Sequence, residues 1–137
     1  GCEESPGDLV FINGKQFKLS SLRGKIVVID FWGSWCGWCV KGMPEMKKYY
    51  EKYKGKMEIV GVDCGDTKEQ WKAAASNLAL PWIHVYNPKG AGDITQEYGI
   101  QGFPTKFIVG KDGKLITFVI GEDPAFYTTL DEVMEKE

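Results

Sequence analysis

The sequence predicts an α/β fold in which a central mixed β-sheet is flanked by helices in three layers. Two runs, residues 26–31 and 57–62, are nearly continuous in apolar and β-branched residues, as in central strands buried on both faces. A helix-like stretch follows each of them. The chain then closes on a hairpin, residues 105–109 and 115–120 across the Lys111, Asp112, Gly113 turn, and a final helix.

The elements follow in order. Residues 1–8 read as a flexible polar lead-in, and residues 9–137 as one folded domain. Cys2 is a lipid-attachment candidate by position, without a visible upstream signal. Residues 9–12 and 15–19 flank Asn13 and Gly14 as an N-terminal hairpin, and Ser20, Ser21 and Leu22 turn the chain toward Gly24. After the strand at 26–31, a helix is expected over 40–53, bent by Pro44 because proline lacks the amide and its ring crowds the preceding turn. The strand at 57–62 leads to a helix capped by Asp66 or Thr67 and running to about Ala79, with Trp71, Ala74, Ala75 and Leu78 on its apolar face. Leu80 and Pro81 stop it. A short strand at 83–86, a Gly- and Pro-rich loop and a short helix near 94–98 precede the closing hairpin. Asp123 and Pro124 open the last helix.

Composition narrows the function. A chain of 137 residues buries about two thirds of its unfolded surface on folding and needs no staples. With 26% charged residues and a net charge of −2, it offers no electrostatic case for nucleic acid or an anionic membrane. The lysines at 47, 48, 52, 54 and 56 interleave with tyrosines and read as the solvated face and tail of a helix. No apolar run reaches the ~20 residues of a membrane span.

Chemistry concentrates at Cys36 and Cys39, between a strand and a helix. The first four amides of a helix have no intrahelical partner, and the aligned peptide dipoles put about half a positive charge there. If Cys36 caps the helix, its sulfur can accept from those amides, which is expected to lower its pKa below the ~8.5 of an ordinary thiol. Cys39 lies three residues on, near enough to pair but deeper, which makes Cys36 the attacking sulfur and Cys39 the resolving one. A zinc site would need a second close pair of ligands, and Cys2, Cys64 and His84 do not supply one. A purely structural disulfide would close so short a loop that it removes little unfolded-chain entropy. Cys64 and His84 read as buried or edge packing residues.

The run Asp30, Phe31, Trp32, Gly33, Ser34, Trp35, Cys36, Gly37, Trp38, Cys39, with Pro44 five residues on, resembles the active-site signature of the thioredoxin superfamily. Gly102, Phe103, Pro104, Thr105 resembles the family's cis-proline loop. The long interval between the two signatures suggests an inserted helix and strand, roughly residues 66–86. With the N-terminal hairpin and the motif at 19–25, the chain is similar to TlpA/ResA-type extracytoplasmic thiol-disulfide oxidoreductases from about Leu9 onward.

The resemblance implies that Cys36 attacks a partner disulfide and Cys39 resolves the mixed disulfide, with no cofactor or metal. Asp30 matches the family's buried acid, which exchanges a proton with the resolving sulfur; a desolvated carboxyl has a raised pKa, suited to that role. Pro104 would present a cis bond beside the sulfurs and leave Phe103 backbone groups free for a substrate strand. Trp35, Gly37 and Trp38 would line the substrate face, and Trp32 would pack in the core. The partners implied are disulfide-containing proteins and an upstream thiol donor, met by a monomer outside the cytoplasm, with any membrane anchor beyond the chain given.

Departures from the pattern matter. Trp38 stands where a proline often precedes the second cysteine, and Gly42 where a glutamate often follows it. With Gly42 in that place, the carboxylate contribution to thiol titration is expected to rest on Asp30 alone; separately, no lysine lies within residues 59–62 to partner Asp30. Two other readings remain open at this point: a thiol peroxidase on the same fold, which would want a threonine where Gly33, Ser34 and Trp35 stand, and a redox-inert module binding peptide strands at the Pro104 loop.

Overall fold

A computed structural model describes residues 9–11, 16–17, 22–87, 95 and 98–136. The chain runs β1 (Leu9–Phe11), β2 (Gln16–Phe17), β3 (Ile26–Trp32), α1 (Gly37–Lys41), α2 (Met43–Lys52), β4 (Met57–Cys64), α3 (Lys68–Asn77), β5 (Ile83–Asn87), β6 (Thr105–Val109), β7 (Leu115–Ile120) and α4 (Ala125–Lys136). The strands form one sheet in the order β2-β1-β5-β4-β3-β6-β7. β3 pairs parallel with β4 and antiparallel with β6, so the sheet is mixed and β3 lies in its interior.

Every residue of β3 is buried, which explains its unbroken apolar character. Its side chains alternate between two cores. On one face Ile26, Val28 and Trp32 meet Met43 and Met46 of α2 and Phe126, Tyr127 and Leu130 of α4. On the other, Val27, Ile29 and Phe31 meet Val60, Val62, Val85 and Phe107. Lys52 of α2 is paired with Asp131 of α4 at 3.1 Å, joining the two helices at the surface. The closing hairpin stands where the sequence places it, and the Asp123 carboxylate accepts from the Ala125 amide at 2.9 Å at the start of α4.

Several expectations need correcting. The helix expected over 40–53 is two helices separated at Gly42. Pro44 has no amide to give the Val40 carbonyl, and the Gly42 amide closes α1 on the Trp38 carbonyl at 3.2 Å. A new helix starts at Met43 with Pro44 in its first turn, where a missing amide costs nothing. Lys54 and Lys56 therefore lie past the end of α2. Thr67, rather than Asp66, caps α3: its hydroxyl accepts from the Gln70 amide at 3.1 Å, and the Gln70 side chain accepts from the Thr67 amide at 2.8 Å. β4 extends two residues beyond the expected strand, through Asp63 to Cys64. The lead-in at 1–8 and the Asn13–Gly14 turn lie outside the described residues, as does most of the short helix expected near 94–98.

The docking of α4 rests on Leu130, 1% exposed in the core over β3. Leu130→Ala is expected to lower unfolding stability by about 3 kcal/mol. A urea titration giving a loss well under ~1 kcal/mol would mean that the site collapses around the smaller side chain.

Candidate active site

The fold brings Cys36 and Cys39 together at the C-terminal end of β3. Cys36 is the N-cap of α1, with extended backbone angles (φ −94°, ψ 105°), and its Sγ accepts from the Cys39 amide at 3.2 Å. The Cys36 amide donates to the Gly33 carbonyl and the Cys36 carbonyl accepts from the Val40 amide, both at 3.1 Å, so the cap is held from either side. The two residues are joined as a disulfide with Cα atoms 5.2 Å apart. Cys36 is 8% exposed and Cys39 2%, the asymmetry expected of an outer and an inner sulfur. Cys64 carries a thiol buried in the opposite core, well removed from this pair in packing.

The loop before the dithiol is anchored by residues that sequence reasoning did not assign to the site. Asp66 accepts from the Ser34 amide at 2.9 Å and from the Ser34 hydroxyl at 2.7 Å. Thr67 thus takes the helix cap and leaves the Asp66 carboxylate to the loop. A threonine followed three residues later by glutamine was the signal for that division. Beside Asp66, the buried Asp63 carboxyl is pushed up to about 9, by burial first and then by the neighbouring Asp66 carboxylate. Neither oxygen of Asp63 has a hydrogen-bond partner among the described residues, a situation that a neutral carboxyl tolerates better than a carboxylate.

Trp35 is fixed as well. Its indole N–H donates to the Cys64 carbonyl at 2.7 Å, and its ring meets the Phe103 ring edge-on at 5.2 Å. Glycine at 33 and 65 makes room for it, because a Cβ at either would run into the indole. Trp38, between the cysteines, is 64% exposed, with the Lys41 ammonium 5.2 Å over its ring. Trp32 is fully buried in the core. Gly37 opens α1 on the exposed side of Cys36, and the Phe103–Pro104 peptide bond is cis. Pro104 is buried, its carbonyl accepting from the Gly121 amide at 2.7 Å, and Phe103 is half-buried.

Asp30 is 1% exposed, on the β3 face that carries the cysteine cluster. Burial pushes its pKa up to about 6, with Lys106 opposing the rise and Glu122 adding to it. Asp30 therefore has a second carboxylate and an ammonium acting on it, where the sequence pointed to Asp30 alone. Its partner lysine comes from β6 instead of β4, where Gly61 faces it, and Glu122 holds that lysine at 3.1 Å. The signal was legible in part: Lys106 is the one charged residue in the apolar run of β6.

This arrangement has relatives. Residues 24–115 match the model of a thioredoxin-like family. A ResA thiol-disulfide oxidoreductase of Bacillus thuringiensis subsp. konkukian is 37% identical over 136 residues, spanning 98% of this chain and 76% of that protein. The thioredoxin domain of a thiol-disulfide oxidoreductase from Bacteroides vulgatus superposes with a TM-score of 0.81 at 29% identity, over 93% of this chain and 92% of the other. The exposed lipoprotein thioredoxin Etrx1 of Streptococcus pneumoniae does so with a TM-score of 0.76 at 25% identity, over 92% and 98%. A paired dithiol on a capped helix start, on this sheet and with these relatives, places the chain in the thioredoxin-like family.

Proposed function

We propose that the protein is a thiol-disulfide oxidoreductase that exchanges electrons with partner proteins through Cys36 and Cys39. The observation that carries this reading is the Cys36 sulfur at a helix start, accepting the Cys39 amide while paired with the deeper Cys39 sulfur. In the reducing direction, the Cys36 thiolate attacks one sulfur of the partner disulfide, forming a mixed disulfide and expelling the other partner sulfur as a thiolate. Cys39 gives its proton to the Asp30 carboxylate and attacks the Cys36 sulfur. The Cys36–Cys39 disulfide forms, the second partner thiolate leaves, and both partner thiolates take up protons. Two electrons have passed from the dithiol to the partner.

Substrate contacts follow from the surroundings. The Phe103 backbone makes no hydrogen bond to another described residue, so it is available to an extended partner strand. Trp35, Gly37 and Trp38 flank the entry to Cys36, with Trp35 and Phe103 forming one wall. The partners are proteins bearing disulfides, and a separate thiol donor returns the protein to its dithiol form. We place this work outside the cytoplasm, where protein disulfides persist. The pneumococcal neighbour named as an exposed lipoprotein supports that placement.

The mechanism makes three demands. Cys36→Ser is expected to abolish reduction of insulin disulfides by dithiothreitol-charged protein, and retained turnover rejects the assignment. Cys39→Ser is expected to stall as a mixed disulfide with its partner, visible as a reducible adduct on a non-reducing gel; a variant that releases product at the normal rate would dismiss Cys39 as the resolving sulfur.

The third concerns Asp30. Its folded pKa lies above its unfolded value of ~3.9, so the fold favours the protonated acid. That contribution is whole below pH ~4 and is lost as pH rises through about 6, a difference of roughly 3 kcal/mol. Relative to the native chain, Asp30→Asn is expected to gain ~2 kcal/mol of stability between pH ~4 and pH ~8 while slowing thiol exchange. Urea titrations at the two pH values check this, and equal differences at both would remove the titrating role.

A further inference from the structure

On the sheet face that carries the cysteines lies an ion pair, Lys106 with Glu122, to which the steps above give no task. Lys106 is 3% exposed, a costly place for an ammonium group. The β3–β6 register sets it directly opposite Asp30. On β6, Ile108 belongs to the core cluster that contains Val28, Trp32, Cys36 and Cys39, whereas Phe107 belongs to the other. Strand alternation therefore turns Lys106 and Asp30 to the same face, the one the cysteines occupy.

The Lys106 ammonium lies 3.1 Å from the Glu122 carboxylate and 5.6 Å over the Phe126 ring. Glu122, from the segment between β7 and α4, reaches across to the α1–α2 junction. A Cβ built on Gly42 would come within 2.6 Å of its carboxylate. Glycine at 42 thus leaves room for an acid delivered from elsewhere in the chain.

We propose that Lys106 and Glu122 are positioning residues for the thiol exchange: Lys106, held by Glu122, sets how readily Asp30 takes and returns the proton of Cys39. The inference rests on the oxidoreductase reading and adds to it. The proton leaves the Cys39 thiol for Asp30 as the thiolate forms, and passes from Asp30 to solvent once the disulfide has closed. An ammonium beside Asp30 favours its ionised form, and a second carboxylate disfavours it. Were Lys106 not held by Glu122, its full charge would bear on Asp30 and weaken it as a base. Were Lys106 absent, Glu122 would face Asp30 uncompensated and keep it protonated. The pair holds Asp30 between these limits.

The other groups around Asp30 are few. Gly61 of β4 brings no charge from the opposite neighbouring strand. Cys36 and Cys39 stand at the start of α1, and Tyr127 of α4 is electrostatically coupled to Asp30, to Glu122, and to Glu45 and Tyr49 of α2. None of these stands between Lys106 and Asp30 in the strand register.

The test is the pH profile of kcat/KM for insulin disulfide reduction, measured for the native chain, Glu122→Gln, Lys106→Met and Asp30→Asn. Ionisation of the Cys36 thiol bends the acid side of every profile; the further inflection that belongs to Asp30 should disappear in Asp30→Asn, move down by about one pH unit in Glu122→Gln, and move up by a similar amount in Lys106→Met. Glu122 is partly exposed, so Glu122→Gln decides the matter if Lys106→Met fails to fold. A folded Glu122→Gln protein whose profile coincides with the native one, or an Asp30→Asn profile indistinguishable from the native one, overturns the proposal. Cys36→Ser, run alongside, keeps the outcomes apart: turnover without Cys36 defeats the oxidoreductase reading itself, whereas unmoved profiles with an inactive Cys36→Ser defeat the positioning role alone.

Discussion

A carboxyl held inside a strand that meets no water organises the rest of this protein. Asp30 sits within β3, and every residue of that strand is buried. The energetic cost of an ionised acid there is what makes it responsive near neutral pH. The same cost explains why an ammonium is buried on the adjoining strand and why a further acid arrives from the segment leading into α4. The sheet supplies register, and the register sets a lysine directly opposite the acid on the face that carries the cysteines.

The outer sulfur depends on a different constraint, the shortness of α1. A five-residue helix has little stability of its own, so the cap at Cys36 must be held by its surroundings. The Gly33 carbonyl, the Ser34–Asp66 pair and the Trp35–Cys64 bond provide that support from the ends of β3 and β4. The break at Gly42 then frees α2 to follow its own packing over Met43 and Met46 without dragging the cysteines with it.

Much of this was legible in the sequence, for physical reasons that differ from element to element. β3, β6 and β7 announced themselves because burial and turn chemistry act locally. Cys36 and Cys39 stood out because so close a pair at a strand-helix junction has few other uses. Asp30 was legible as an acid in an apolar run. Lys106 and Glu122 were harder, because their meaning lies in the antiparallel pairing of β3 with β6 and in a contact between segments far apart in the chain. Asp66 was ambiguous because two adjacent residues competed for one cap, and the reciprocal bond from Gln70 decides between them. The helix break had its cause in view at Pro44, but where the chain would part depended on the tolerance of Gly42.

The two indoles nearest the outer sulfur divide their work by how firmly each is held. Trp35 is anchored at its nitrogen and seated against two glycines, so it forms a stationary wall. Trp38 projects into water from α1, with a lysine ammonium over its ring. For the partner strand proposed above, the first ring would be a fixed guide, and the second a broad apolar face left open to water.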